Sequence, residues 1–143
     1  MSQYTYTISL RVVHPVMKPE KITKALGMTP QTKWTVGEAR RSISGKLLGG
    51  HNKESFWCSA LRKSDDSDFH AFLIRSIESL KTHREFFKAV RAAGGRLDLY
   101  VSLQTQSCIW EEMLTSEAML ALGQMGLDLI VDVLYDTDKE PSA

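Results

Sequence analysis

The feature that most constrains the fold of this chain is the alternation of apolar and polar side chains in two distant segments. From Tyr4 to Val12 the apolar residues occupy every second position, with Thr, Ser or Arg between them. The same alternation returns from Leu97 to Gln104. A period of two predicts half-buried β-strands, with one face toward a core and the other toward water. The strands of a doubly wound sheet are apolar throughout, so we expect instead a sheet covered by helices on one face only.

Helical patterns occupy stretches between the predicted strands. In "KPEKITKALGM", Pro19 suits a first helical turn and Gly27 marks the end of the helix. The later segment "SEAMLALGQMG" is also predicted to be helical, with either Thr115 or Ser116 as its N-cap. We therefore predict a short helix after the first strand and another before the last strand.

Two further helices are predicted in the middle of the chain. Apolar residues from Phe69 to Leu80 recur with the 3.6-residue period, after Ser67 or Asp68 as the N-cap. The sequence "THRE" then has the spacing of a capping box. We predict a break near Lys81 and a new helix that stops at Gly94–Gly95.

Three more segments are predicted strands: Thr32 to Val36, Ser55 to Leu61 and Leu127 to Tyr135. Together the elements predict the α+β class, with about five strands in a mixed or antiparallel sheet and helices layered on one face. Strand, helix and strand follow one another at both ends of the chain, which suggests a duplicated β-α-β unit in a ferredoxin-like arrangement. We predict a single domain over residues 1–136 and a flexible polar tail over residues 137–143.

Residues 37–54 form a long basic insert between two tryptophans. The insert has no clear period, carries Gly45, Gly49 and Gly50, and lies between Trp34 and Trp57. Loops longer than about 12–15 residues are uncommon in compact domains and are often functional. Arg and Trp are side chains that commonly anchor protein interfaces. We therefore interpret the insert as an exposed binding loop, whereas the competing interpretation makes both tryptophans core residues that clamp its ends.

Charge is distributed unevenly along the chain. Residues 1–63 hold eleven Lys or Arg against three Glu, whereas residues 98–143 hold nine Asp or Glu against one Lys. Such asymmetry is typical of a basic binding surface, or of two surfaces through which copies of a chain attract one another. The alternative is that packing mixes the two halves and cancels the difference.

Several function classes leave no signature in the sequence. The apolar runs are much shorter than the roughly 18 residues of a membrane-spanning helix, and the N-terminus lacks the pattern of a secretory signal. Cys58 and Cys108 make no disulfide framework, and no Cys/His spacing predicts a zinc site. In "SGKLLGG", Leu47 stands where a P-loop needs Ser or Thr. We expect a cytoplasmic protein without metal, cofactor or membrane association, and we assign no catalytic residue.

Two alternatives to protein binding stay open at this point. A small enzyme or ligand-binding domain needs a pocket, for which the candidate lining residues are Trp34, Glu38, His51 and Trp110. Single-stranded nucleic acid could bind the basic insert and the open face of the sheet. However, the outward residues of the first strand include no aromatic platform, and a sequence pI of about 7.8 is low for a dedicated nucleic-acid binder.

Three stretches of the sequence form a recognisable combination. They are "PEKITKALGMTP", "TKWTVGEARRSISGKLLGGHNKESFWCSAL" and "GLDLIVDVLYD". The most specific part is Trp34, Gly37, Glu38 and Arg40, followed by Trp57. Over about residues 4–135, the chain thereby resembles the bacterial domain-of-unknown-function family 4279. The resemblance implies a small, stand-alone soluble bacterial domain, and it supplies no activity, cofactor or catalytic residue.

We predict a non-catalytic binding module that recognises another protein through the insert, or that associates with its own copies. The predicted contact residues are Trp34, Glu38, Arg40, Arg41, Lys46, His51, Trp57 and Trp110. In this arrangement Glu38 orients an arginine and Trp110 borders the insert.

Overall fold

The computed structural model describes residues 4–61 and 68–136 of the 143-residue chain. The strands are β1 (Tyr4–His14), β2 (Thr32–Trp34), β3 (Ala39–Arg41), β4 (Leu47–His51), β5 (Ser55–Ala60), β6 (Arg96–Thr105) and β7 (Asp128–Tyr135). The helices are α1 (Pro19–Leu26), α2 (Phe69–Leu80), α3 (Arg84–Ala92) and α4 (Ser116–Met125), with a 3-10 turn at Lys81–His83. The predicted α+β class is confirmed.

Five strands form one mixed sheet in the order β2-β5-β1-β6-β7, while β3 and β4 form a separate two-stranded sheet. The central strand β1 pairs antiparallel with both β5 and β6, in a register that runs from Tyr4–Thr105 to Val13–Arg96 on the β6 side. β2 adds antiparallel to the outer side of β5, and β7 adds parallel to the outer side of β6. The predicted five-stranded mixed sheet is therefore confirmed.

Two β-α-β connections are interleaved in this strand order. α1 connects β1 to β2, which run parallel with β5 between them. α2 and α3 connect β5 to β6, which run parallel with β1 between them. This is a split β-α-β arrangement. The predicted duplication related the first unit to the one that contains α4, and it remains a prediction.

The apolar side chains of the strands and helices meet in one core. Ile8, Leu10 and Val12 of β1 and Leu97 and Leu99 of β6 are each no more than 1% exposed. Buried residues of all the named helices join the same cluster, and they are Ile22, Leu26, Phe69, Phe72, Leu73, Ile77, Leu80, Phe87, Val90, Ala118, Leu122 and Met125. These helices pack on the face that bears the alternating apolar residues, and no described helix covers the opposite face, as predicted.

Local sequence determines most of the helix ends. Asp68 caps α2 by accepting a backbone hydrogen bond at 3.1 Å, and Thr115 caps α4 in the same way at 3.2 Å. Gly27 and Gly126 end α1 and α4 with φ of 66° and 70°, a conformation that favours glycine. The other candidate cap of α2, Ser67, lies outside the described residues.

The break near Lys81 is confirmed, but the capping box predicted beside it is wrong. α3 begins at Arg84, and the residue before it is His83, which makes no side-chain cap. The hydroxyl of Thr82 instead donates to the carbonyl of Ser79 at 3.5 Å. The 3-10 turn carries helical backbone through the break, so α3 does not start from an extended residue whose side chain could cap it.

The insert over residues 37–54 is not an unstructured loop, and that part of the prediction is wrong. It contains β3 and β4, and residues 37–54 are called the hairpin from here on. The pairing of β3 with β4 is irregular between Ala39 and Arg41, and Gly49 and Gly50 have positive φ. These irregularities remove the period of two by which a strand is recognised in sequence.

No helix within the described part of the chain is both long and apolar enough to cross a membrane. The predicted polar tail, residues 137–143, lies outside the described residues.

Candidate functional site

The base of the hairpin is closed by backbone and side-chain hydrogen bonds. Gly37 N donates to the carbonyl of Asn52, and Asn52 N donates to the carbonyl of Glu38, both at 2.8 Å. The side-chain amide of Asn52 also donates to the carbonyl of Thr35 at 2.9 Å. These bonds fix the direction in which the hairpin leaves the end of the β2–β5 pair.

The tip of the hairpin is an ordered turn. Ser42 N donates to the carbonyl of Lys46 at 2.8 Å, and Gly45 N donates to the carbonyl of Ser42 at 2.9 Å. Gly45 has a φ of 88°, which a residue with a Cβ adopts only with strain. The guanidinium of Arg41 donates to the carbonyl of Gly45 at 3.0 Å, so part of this side chain is committed to closing the turn.

The surface of the hairpin combines positive charge with exposed apolar side chains. Every residue of β3 and β4 is exposed. The large apolar side chains, with their exposed fractions, are Ile43 at 107%, Leu47 at 60% and Leu48 at 52%. Beside them, Arg40, Arg41 and Lys46 form no ion pair with any residue that the structure describes. The charge of the hairpin is therefore not neutralised by its own fold.

Glu38 and His51 lie near the base of the hairpin. His51 ends β4 and pairs with Ala39 of β3, and both Glu38 and His51 are exposed. Among the described residues, the carboxylate of Glu38 makes no ion pair with Arg40 or Arg41. The prediction that Glu38 orients an arginine is therefore corrected, and the hydrogen bonds that the described structure gives this residue are made by its backbone.

Trp34 lies at the root of the hairpin on the open face of the sheet. It ends the edge strand β2, is 44% exposed, and stacks on Phe56 with ring centroids 4.3 Å apart and planes 18° apart. The register of β2 and β5 pairs Trp34 with Phe56 and Lys33 with Trp57. Since successive residues of a strand face opposite sides, Trp34 and Trp57 lie on opposite faces.

Trp57 belongs to the core and not to the contact surface. It is fully buried, and its Nε1 donates to the hydroxyl of Thr23 on α1 at 3.0 Å. Its place among the predicted binding residues is therefore corrected. Each interpretation of the sequence therefore holds for one of the two tryptophans. Trp34 is exposed beside the hairpin, and Trp57 is a core residue.

Trp110 lies at the opposite end of the sheet from the hairpin. Its ring meets those of Tyr4 and Phe69 edge-on, at centroid distances of 6.3 and 6.5 Å. Tyr4 begins β1, whereas Phe56, on which Trp34 stacks, pairs with Val13 of the same strand. At about 3.3 Å per residue, the two sites are roughly 30 Å apart along β1. The prediction that Trp110 borders the hairpin is wrong.

The pocket suggested for an enzyme is therefore not assembled. Trp34, Glu38 and His51 lie at the hairpin end of the sheet, and Trp110 lies at the other end. The thiol of Cys108 would need a base such as His51 to act as a nucleophile, but Cys108 follows Thr105, which pairs with Tyr4, so it is also distant from His51. At that end the hydroxyl of Tyr4 donates to the carboxylate of Glu112, and burial together with this bond raises the pKa of Tyr4.

The open face between the two ends carries a network of satisfied charges. Arg11 donates to both carboxylate oxygens of Asp98, at 2.8 and 3.3 Å, and lies over the ring of Tyr100 with 4.3 Å to its centroid. The hydroxyl of Tyr100 donates to Asp132 at 2.7 Å, and this bond raises the pKa of Tyr100. Burial raises the pKa of the Cys58 thiol on the same face, which opposes formation of the nucleophilic thiolate.

Comparison with known proteins identifies the family of the chain. A family model described as "Domain of unknown function (DUF4279)" matches residues 2–136. The chain belongs to the DUF4279 family. The resemblance seen in the sequence is thereby confirmed, and the match includes the whole hairpin. No curated protein and no solved structure matches this DUF4279 chain.

The described part of the DUF4279 chain contains no group of three or more His, Cys, Asp or Glu residues arranged to hold a metal ion. The candidate site is accordingly built from the hairpin and Trp34, whose chemistry is cationic, apolar and aromatic. Such a surface can bind a partner through desolvation and charge.

Sequence reasoning missed the apolar half of this site. Ile43, Leu47 and Leu48 interrupt an otherwise polar, glycine-rich stretch, and that interruption is the signal that could have identified them. Phe56 was missed for another reason. Its stack with Trp34 depends on the pairing of β2 with β5, which no local pattern reports.

Proposed function

We propose that this DUF4279 protein is a non-catalytic binding module that recognises another protein through the hairpin and Trp34. The observation that carries the proposal is the exposure of Ile43, Leu47 and Leu48 among cationic side chains that have no ion-pair partner in the described structure. Apolar surface left in water forfeits about 25 cal/mol per Å² that burial would supply. Clustered exposure of this kind is typical of an interaction surface.

The form of the hairpin supports recognition of a protein surface. The hydrogen bonds at its base and tip order it before binding, so less conformational entropy is lost on association. Trp34 is held in place by its stack on Phe56 and keeps 44% of its surface for a partner. Arg40 and Lys46 supply charge that steers an acidic partner.

The proposal also includes the domain boundaries of the module and its location in the cytoplasm. The match of the family model over residues 2–136 supports a single domain over residues 1–136. Cys58 and Cys108 are free thiols, which is consistent with the reducing cytoplasm.

The test is a reversal of charge on the hairpin. Partners are captured by cross-linking with the wild-type protein, identified, and then titrated against the purified protein. We expect the Arg40→Glu/Arg41→Glu variant to bind the identified partner at least about tenfold more weakly. Trp34→Ala should weaken binding as well, because Trp34 offers the large aromatic surface typical of an interface hot spot.

The matched control is Arg84→Glu/Lys88→Glu on α3, which reverses two exposed charges away from the hairpin. This variant should bind the partner like the wild-type protein. Equal binding by the hairpin variant and the wild-type protein, with unchanged circular dichroism, would show that the hairpin is not the recognition surface.

Single-stranded nucleic acid is a second candidate, because Trp34 and Phe56 form an exposed stack beside a basic hairpin. Against it, Asp128 and Asp132 lie on the same open face, where their negative charge repels phosphate. If nucleic acid binds, the logarithm of the binding constant should fall linearly with the logarithm of the salt concentration, with a steeper slope when more phosphates are contacted. Fluorescence anisotropy of a labelled oligonucleotide, at increasing salt and with Trp34→Ala, distinguishes this candidate from protein recognition.

A further inference from the structure

Within the described part of the chain, β7 is an edge strand of the large sheet, and it carries apolar side chains on both faces. β7 pairs with β6 over a continuous register from Asp98–Asp128 to Thr105–Tyr135, and no described strand lies on its other side. Its exposed large apolar residues, each between 39% and 49% exposed, are Ile130, Val131, Val133, Leu134 and Tyr135. β7 contains neither Pro nor Lys, the residues by which edge strands are commonly protected from pairing.

The charge of this edge is uniformly negative. Asp128, Asp132 and Asp136 lie along it, and no Lys, Arg or His occurs between Leu97 and Asp136. The carboxylate of Asp132 accepts from Tyr100, while the backbone on the outer side of β7 has no pairing strand in the described chain. A partner for this edge should therefore be an extended segment that carries positive charge between apolar side chains.

The hairpin has the complementary composition. Its exposed side chains are cationic and apolar, as described above, and those of β7 are acidic and apolar. The two surfaces also lie apart in one molecule, because the hairpin extends from the β2–β5 edge of the sheet and β7 forms the other edge. One molecule therefore cannot satisfy its own β7 edge with its own hairpin.

We propose that the occupant of the β7 edge is the hairpin of a second copy of this chain. The inference rests on the proposed function, because it assigns a partner to the hairpin. The contact joins two unlike surfaces, so each molecule offers one hairpin and one β7 edge. Such heterologous association can grow into chains or close into a ring, so it need not end at a symmetric dimer. Because attraction between exposed charges contributes, association weakens as salt rises.

A charge-swap experiment tests this proposal with purified full-length protein. The hairpin variant is Arg40→Glu/Arg41→Glu, and the edge variant is Asp128→Lys/Asp132→Lys. Sedimentation velocity should show a wild-type average mass that rises with concentration at low salt. Each variant alone should stay monomeric under the same conditions, since like charges then face each other. An equimolar mixture of the two variants should associate again, because each surface meets an opposite charge.

Asp128→Lys alone serves where the double edge variant fails to fold, since Asp132 also holds Tyr100. Arg84→Glu/Lys88→Glu is the control and should associate like the wild-type protein. A wild-type protein that stays monomeric at low salt and high concentration would overturn the proposal, as would association that the mixture of variants does not restore. Association blocked by the edge variant but not by the hairpin variant would indicate edge-to-edge pairing and would equally overturn it.

The outcomes also separate this inference from the proposed function. If the wild-type protein is monomeric and the hairpin variant still loses a different protein partner, self-recognition fails and protein recognition by the hairpin stands. If the hairpin variant keeps every partner and also associates like the wild-type protein, both fail.

Discussion

The two ends of the central strand show how differently tryptophan and charged residues can be used in one small protein. At one end, Trp34 and the hairpin are exposed, and Arg40 has no ion-pair partner in the described structure. At the other end, Trp110 is packed against Tyr4 and Phe69, and Tyr4 is bonded to Glu112. The difference follows from what covers each end. α2 packs over the start of β1, where Phe69 and Phe72 meet the ring of Tyr6, whereas every residue of β3 and β4 in the hairpin is exposed.

The same contrast appears within a few ångströms at the root of the hairpin. Trp34 and Trp57 belong to adjacent paired strands, yet one is 44% exposed and the other is fully buried. Residue type therefore does not distinguish a contact residue from a core residue here. The face of the strand does, and each prediction below tests that distinction.

The largest expected effect is that of removing the buried tryptophan. Trp57→Ala deletes a fully buried side chain and its hydrogen bond to Thr23, so we expect the free energy of unfolding to fall by about 3–5 kcal/mol. Urea denaturation followed by circular dichroism measures the change. A loss below about 1 kcal/mol would show that Trp57 contributes little to the stability of the core, and the contrast with Trp34 would disappear.

A smaller effect is expected from breaking the partly buried ion pair on the open face. Asp98→Asn keeps the shape of the side chain and removes the charge that meets Arg11 at 2.8 Å, with side chains 24% and 12% exposed. We expect a loss of about 1–3 kcal/mol in the free energy of unfolding. The matched control is Glu78→Gln, whose partner Lys81 is half exposed, and it should cost less than about 0.5 kcal/mol. Equal losses in the two variants would contradict the idea that the open face is a structured surface.

Removing the exposed tryptophan should cost still less stability. Trp34→Ala loses the stack on Phe56 and part of an aromatic surface, for which we expect about 1 kcal/mol in the same denaturation assay. Binding should be affected far more than stability. A loss as large as that of Trp57→Ala would assign Trp34 to the structure and not to recognition.

The smallest expected effect is a dependence of the free energy of unfolding on pH, which originates at His14, the last residue of β1. Burial, with a lesser contribution from Lys21, lowers the pKa of His14 below its ordinary value of 6.5, and Nδ1 of this side chain accepts hydrogen bonds from Val16 N and Met17 N. The unfolded chain then takes up a proton at higher pH than the folded one. The stability contributed by neutral His14 is complete above pH 6.5 and is lost as pH falls toward the lowered pKa.

Urea midpoints at pH values above and below this range measure the effect. His14→Asn supplies an acceptor that does not titrate, so its midpoint should fall less on acidification than that of the wild-type protein. Thr23→Ala keeps His14 and loses a core hydrogen bond, which makes it a control for lower stability alone. An identical acid response in wild-type and His14→Asn proteins would contradict the role of this histidine.

Much of the fold could be predicted because its signals are local. The alternation in β1 and β6 reports which side chains share a face, and it holds for a strand in any sheet. Gly27 ends α1 and Thr115 caps α4 through bonds made within one turn of the chain. The hairpin escaped prediction because its positive-φ glycines and irregular pairing interrupt the pattern on which strand prediction depends.

The sequence alone determined the class of the fold, the open face of the sheet, the position of the basic insert and the unequal distribution of charge. The tertiary structure decided which tryptophan is exposed, placed Trp110 about 30 Å from the hairpin along β1, and left the acidic β7 at the edge opposite β2. The reason is physical. A local pattern states which residues face the same way, but the pairing of distant strands determines which of those faces is covered.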